Sequence, residues 1–137
     1  MKRILFGLLT LSASLAVSAA AIEGKWRTTD DKTSKPKAVV SISQSGAVFQ
    51  GKIVSLAQGV ENVCPACEGK RPLVGMTVLT GLKEDGGEYT GGKIFDPKSG
   101  KTYKAKAEVS ADGKTLKVRG YLGVSALGRT QTWVRVE

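Results

Sequence analysis

The chain has 137 residues, and its 21 lysines and arginines against 12 acidic residues give a formal net charge of +9 at pH 7. It contains no histidine, which excludes a Ser–His–Asp triad and a Cys–His catalytic pair. Two cysteines without histidine also fall short of the tetrahedral ligand set of a structural zinc ion. The composition therefore predicts a non-enzymatic protein without a metal or another cofactor.

The N-terminal segment has the three parts of a secretory signal. Lys2 and Arg3 form a basic start, the uncharged run ILFGLLTLSASLAV follows, and the small residues SAAA end it. The apolar run is shorter than the ~20 residues that span a bilayer, and no later run is longer. We therefore expect residues 1–21 to be a cleaved signal peptide and residues 22–137 to be one exported domain in the periplasm, without a transmembrane segment.

Short segments of alternating apolar and polar residues follow one another along this domain, separated by turn signals such as DPKSG and ADGK. The longest irregular stretch, 56–72, separates the third segment from the fourth. Strands are predicted at 23–28, 38–44, 47–55, 73–80, 87–95, 101–110, 115–122 and 129–136.

Eight antiparallel strands joined by short turns predict an all-β meander. In a chain of this size, closure of the sheet into a barrel removes the unpaired strand edges. Glycines inside the predicted strands fit a sharply curved sheet. A β-sandwich is the alternative, because alternation alone does not distinguish the two architectures.

The first and last predicted strands carry residues suited to closing a barrel. Trp26 stands in the sequence GKW, and Trp133 stands between Arg129 and Arg135. A closed meander pairs its first and last strands, so an arginine can cap a tryptophan at the barrel end by packing and cation–π contact. This arrangement resembles the calycins, the superfamily of the lipocalins, which carry G-x-W on the first strand and an arginine on the last. Trp26, Arg129, Trp133 and Arg135 are therefore the predicted closure residues.

Four longer blocks occur in order between Gly24 and Val136. They are GKWRTTDDKTSKPKAVV, VCPACEGKRPLVGMTVLTGL, GGKIFDPKSGKTYKAK and LKVRGYLGVSALGRTQTWVR. In order and spacing they resemble the small exported bacterial proteins grouped as domain of unknown function 2147. The resemblance implies a signal peptide and a single β-rich domain, and it carries over no activity and no catalytic residues.

Both cysteines lie in the motif NVCPACEG, residues 62–69. A thioredoxin-type pair has its first cysteine at a helix N-terminus, whereas a turn and then a strand are predicted after Cys67. In an oxidising compartment we favour a structural Cys64–Cys67 disulfide that stiffens the long loop, which would act as a lid at the barrel rim. Thiol–disulfide activity and a metal site remain the alternatives.

The block RGYLGVSALGRTQTW places Arg119 and Tyr121 on one face of a strand, and Arg129, Gln131 and Trp133 on one face of the next. Arginine binds carboxylate and phosphate as a fork, so Arg119, Tyr121 and Gln131 are candidate ligand-binding residues. The alternative is that these faces meet solvent or form the closing seam.

The function predicted from these features is non-enzymatic binding of a small apolar or amphipathic ligand inside a β-barrel. One alternative is an interaction protein of the cell envelope whose basic surface docks on anionic lipid or polymer. The other is thiol–disulfide activity of Cys64 and Cys67. Nucleic acid is not expected as a partner of an exported protein.

Overall fold

The computed structural model describes residues 21–124 and 127–136, so all but the last residue of the predicted signal peptide lies outside the described residues. Within this part of the chain, one short 3-10 turn spans Glu68–Lys70. The strands are β1 Gly24–Thr29, β2 Pro36–Ser45, β3 Val48–Leu56, β4 Thr77–Asp85, β5 Glu88–Phe95, β6 Thr102–Val109, β7 Thr115–Tyr121 and β8 Arg129–Arg135. No helix in these ranges is long and apolar enough to cross a membrane.

The strands form a closed antiparallel barrel in which each strand pairs with its neighbours in chain order. The barrel closes where β1 meets β8, with Trp26 opposite Arg135 and Arg27 opposite Val134. The predicted all-β closed meander is confirmed. The β-sandwich alternative is wrong, because a single continuous sheet includes all eight strands and leaves no pair of facing sheets.

The fourth strand begins at Thr77, four residues later than predicted. The preceding residues turn instead, because the Gly75 N–H donates to the Ile53 carbonyl and the Met76 N–H donates to the Leu73 carbonyl. Gly75 adopts a φ of 93°, which a residue with a side chain rarely does. The long connection between β3 and β4 therefore extends over residues 57–76, and we call it the covering segment.

The two ends of the barrel differ in their connections. At the closed end, β2 turns into β3, β4 into β5 and β6 into β7 through short turns, and β1 begins there. At the loop end lie the longer connections 30–35, 57–76, 96–101 and 122–128. The loop end is therefore where this fold places most of its irregular chain.

Apolar side chains pack together in the interior of the barrel. A Cβ atom at Gly92 would lie 2.7 Å from Leu82 Cδ2, so β4 side chains already occupy the space in front of β5. The interior is therefore closely packed where β4 meets β5. The fully buried interior side chains include Trp26, Val40, Leu79, Leu82, Leu116 and Val118.

Candidate functional site

The covering segment closes the loop end of the barrel. Cys64 is fully buried and Leu73 is nearly so, and both belong to the same apolar cluster as the barrel core. The Cys64 N–H donates to the Arg71 carbonyl at 2.7 Å, which folds the segment back on itself. The Ala66 N–H donates to the Pro97 carbonyl at 3.1 Å and so ties the segment to the connection between β5 and β6.

A disulfide joins Cys64 and Cys67, with the two Cα atoms 5.3 Å apart. The predicted disulfide is therefore present. Only a single 3-10 turn, Glu68–Lys70, follows Cys67, in place of the α-helix whose N-terminus would stabilise a thiolate. Cys64 is out of solvent, so an attacking thiol could reach only the Cys67 sulfur. These surroundings are those of a structural crosslink.

A groove of about 710 Å³ lies between the covering segment and the outer face of β4, β5 and β6. Its floor is apolar and includes Val78 and Phe95, with Met76 at the side of the covering segment. Leu79 and Ile94 face each other across the strands and point inward, so their neighbours Val78 and Phe95 point outward. Val78 is nevertheless buried, because the covering segment lies over it.

Polar and charged side chains surround this floor. Lys93 lies directly opposite Thr80 in the β4–β5 register, and Thr102 lies opposite Phe95 in the β5–β6 register. Arg71 reaches the groove from the covering segment. The lining residues thus include two cations and no carboxylate, so the groove favours a negatively charged group.

The turn that contains the disulfide contacts Arg71. Arg71 Nη2 lies 3.9 Å from the sulfur of Cys67, and the Arg71 carbonyl accepts the Cys64 N–H. The crosslinked turn therefore fixes the backbone of Arg71, one of the two cations that line the groove, while its guanidinium makes only a long contact with the Cys67 sulfur.

Arg135 caps Trp26 at the closed end. The guanidinium carbon lies 4.2 Å from the centroid of the Trp26 ring. Trp133 is also buried, and its Nε1 donates to Gln131 Oε1 at 3.0 Å. Arg129 begins β8 at the opposite end of the barrel, so it is remote from Trp26 and has no part in this cap.

Arg119, Tyr121 and Gln131 do not share a site. Leu116 and Val118 point into the barrel, so Arg119 and Tyr121 lie on the outer face of β7. Arg119 Nη1 donates there to Thr130 Oγ1 at 2.7 Å. Gln131 is on the inner face of β8, opposite Val118. The register therefore puts Arg119 and Tyr121 on the outer side of the sheet and Gln131 on the inner side, and their role in ligand binding stays a prediction.

The model of the family described as an uncharacterized protein conserved in bacteria, DUF2147, matches residues 24–135. The chain belongs to this family. The fold is similar to that of protein HP1028 from Helicobacter pylori, described as belonging to the lipocalin family, with a TM-score of 0.75 and 22% identity over 86% of this chain and 84% of that chain. At this identity the likeness shows the fold alone. None of the curated proteins matches this chain.

The predicted family and the calycin-like barrel are thereby confirmed for this DUF2147 chain. The groove residues Arg71 and Lys93 were not among the predicted site residues. No motif joins them in the sequence, since one lies in the covering segment and the other inside β5. The sequence pointed to Lys93 only as a lysine inside the strand sequence GGKIF. Alternation predicts the face of a strand on which a residue lies, but it does not predict that the residue belongs to a site.

Two carboxyl groups of the DUF2147 barrel have lowered pKa values, and both belong to turns. The backbone N–H groups of Lys32 and Thr33 donate to Asp30 and lower its pKa. The Ser110 hydroxyl and then the Lys114 N–H lower the pKa of Asp112 in the same way. These carboxylates stabilise turns outside the groove. Residues 21–124 and 127–136 contain no group of three or more potential metal-ligating side chains.

Proposed function

We propose that this DUF2147 protein binds a small amphipathic anion in the outer groove and does not transform it. The observation that carries the proposal is the placement of Arg71 and Lys93 beside the apolar floor of Val78 and Phe95. A carboxylate or phosphate would meet the two cations while the apolar part of the ligand packs on the floor. The threonine hydroxyls that line the groove would supply further hydrogen bonds to the polar end.

The dimensions of the groove support the same ligand class. Its volume of about 710 Å³ lies within the ~300–1,000 Å³ that small-molecule sites occupy. A smaller groove of about 480 Å³ at the closed end is lined by Glu23 and Glu84, so it is less suited to an anion. The proposal therefore keeps the predicted ligand class and moves the site from the barrel interior to its outer face.

A fluorescent fatty acid, dansyl-aminoundecanoic acid, is a direct probe of this site. We expect saturable binding to the wild-type protein, with Arg71→Gln and Lys93→Gln each weakening it about fivefold, equivalent to about 1 kcal/mol for a solvent-accessible charge-assisted contact. The matched control is Lys117→Gln on the outer face of β7, which does not line the groove. Its dissociation constant should equal that of the wild type.

The methyl ester of the same probe separates the anionic contact from the apolar one. It keeps the alkyl chain and loses the negative charge, so it should bind more weakly and should not distinguish Arg71→Gln from the wild type. Equal affinity of the double variant and the wild type for the free acid would rule out the groove as the site. Lack of saturable binding of the acid to the wild type would contradict the proposal itself.

A further inference from the structure

The connection between β7 and β8 exposes three large aliphatic side chains at the loop end. Leu122 is 60% exposed, Val124 is 60% exposed and Leu127 is 80% exposed. The other exposed large apolar residues of the described chain, Val54, Val74 and Val136, are less exposed, between 38% and 44%. We call Leu122, Val124 and Leu127 the apolar tip.

The base of this connection is held against the barrel. A Cβ atom at Gly128 would lie 2.5 Å from the Gly120 carbonyl oxygen and 2.8 Å from Tyr121 Cβ. Glycine is thus required for the chain to pass so close to β7. The Leu127 N–H also donates to the Val124 carbonyl at 3.2 Å, which turns the connection. The side chains of the apolar tip therefore point away from the barrel core.

Basic residues surround the base of the tip. On the outer face, Lys104 lies opposite Tyr121 and Lys106 lies opposite Arg119. Arg129 begins β8 beside the same connection. The one carboxylate on the outer face of β6 and β7, Glu108, lies opposite Lys117 and nearer the closed end. The charge next to the tip is consequently positive.

We propose that the apolar tip docks this protein on a lipid bilayer with anionic headgroups. Aliphatic side chains entering the acyl boundary, with cations at headgroup level, are the arrangement by which peripheral proteins bind such surfaces. The cations would pair with the lipid phosphates. The apolar tip would be buried among acyl chains, which a hydrated anionic polymer does not have. The tip residues do not line the groove, but Lys104 lies opposite the groove residue Lys93, so the triple variant at the tip, rather than Lys104→Gln, separates the two sites.

Flotation with vesicles tests this surface. The full mature protein should float with vesicles of equimolar phosphatidylglycerol and phosphatidylcholine and much less with phosphatidylcholine alone. The triple variant L122S/V124S/L127S should bind at least tenfold more weakly, because it loses the inserted apolar area. The matched control V54S replaces an exposed valine on β3 and should bind as the wild type does.

The basic residues are tested with Lys104→Gln and Arg129→Gln, each of which should weaken binding to the anionic vesicles roughly fivefold. Lys52→Gln on β3 is the control and should leave binding unchanged, and added salt should weaken the wild type. Wild-type binding that ignores lipid charge would overturn the proposal. Binding that the triple variant retains in full would also overturn it and would indicate recognition of negative charge alone, as on a polyanionic polymer.

Discussion

Among single residues, Arg135 contacts several separate segments at the closed end of the barrel, although it lies near the C-terminus. Its guanidinium lies over Trp26, its Nε donates to the Gly113 carbonyl at 2.7 Å, and its Nη1 donates to the Glu23 carbonyl at 2.8 Å. It also donates to the Ala21 carbonyl. One side chain therefore joins the segment before β1, the turn between β6 and β7, and the last strand.

We expect Arg135→Met to lower the free energy of unfolding by about 3 kcal/mol, because it removes the cation–π contact and leaves several carbonyls without their charged donor. Urea denaturation monitored by tryptophan fluorescence measures this change. Arg27→Met, on the outer face of β1, is the control and should change stability by less than about 0.5 kcal/mol. Equal losses in the two variants would show that Arg135 does not hold the closed end together.

Tyr89 is the second residue on which the closed end depends. Burial raises its pKa, while donation of the Ile22 N–H to its hydroxyl oxygen at 3.3 Å acts in the opposite direction. Its ring meets Phe49 edge to face, with the centroids 5.3 Å apart. The neutral phenol is thus part of the packed interior.

The pKa of Tyr89 is raised in the folded state, so its neutral phenol stabilises the fold below the unfolded pKa of about 10. This stabilisation is lost as the pH rises through the folded pKa. The free energy of unfolding of the wild type should therefore fall above about pH 10 relative to that of Tyr89→Phe. Urea denaturation of both proteins across this range gives the difference, since they share every other ionisable group. Parallel pH profiles would contradict the assignment.

At the scale of elements, β4 and β5 depart from strict alternation. In β4, Leu79 and Leu82 both point inward although they are three residues apart, and the same is true of Tyr89 and Gly92 in β5. The register with β6 shifts between Tyr89 and Gly92. This irregularity sends Lys93 to the outer face and makes it a groove residue.

The close contact at Gly92 can be measured with a matched pair of substitutions. A Cβ atom there would meet Leu82 Cδ2 at 2.7 Å and the Thr80 carbonyl oxygen at 2.8 Å, so Gly92→Ala should destabilise by about 1–3 kcal/mol. At Gly120 the nearest atom, Ile94 Cγ2, would be 3.4 Å away. Gly120→Ala should therefore cost far less in thermal unfolding, and similar costs would refute the overpacking explanation.

The covering segment links the disulfide to the groove. The double variant C64A/C67A removes a crosslink that closes a very short loop, so it should lower the free energy of unfolding by about 2 kcal/mol. Because the same turn holds Arg71, it should also weaken binding of the dansyl fatty acid. Unchanged affinity would show that the segment keeps its position without the disulfide and would remove its predicted role as a lid.

For the whole molecule, closure of the barrel depends on the seam between β1 and β8. The seam pairs Trp26 with Arg135 and Arg27 with Val134, whereas β2 and β3 pair along most of their length. A shorter ladder supplies fewer interstrand hydrogen bonds, so we expect the closed sheet to open there at the lowest free energy.

Native-state hydrogen exchange should therefore show lower protection for the seam amides of β1 and β8 than for the paired amides of β2 and β3. The comparison is internal to one protein and needs no substitution. Arg135→Met should lower seam protection further while leaving the β2–β3 amides closer to the wild type. Uniform protection around the barrel would mean that it opens only by global unfolding.

Several features of this protein were accessible from the sequence. Alternation and turn residues predicted eight strands and the all-β meander, and the cysteine spacing allowed the disulfide. These signals are local, because side chains alternate across any strand and turn residues act on their own backbone. Four blocks between Gly24 and Val136 also indicated the family, and Trp26 with the arginines of the last strand indicated the calycin-like closure.

Tertiary structure decided which residues meet. It placed Arg135 rather than Arg129 over Trp26, packed Leu82 against Gly92, and brought Arg71 to the same groove as Lys93. It also separated Arg119 and Tyr121 from Gln131. Strand direction, register and bulges determine these encounters. Strand direction, register and bulges depend on packing between residues that are distant along the chain. Alternation indicates only on which face of its own strand a residue lies.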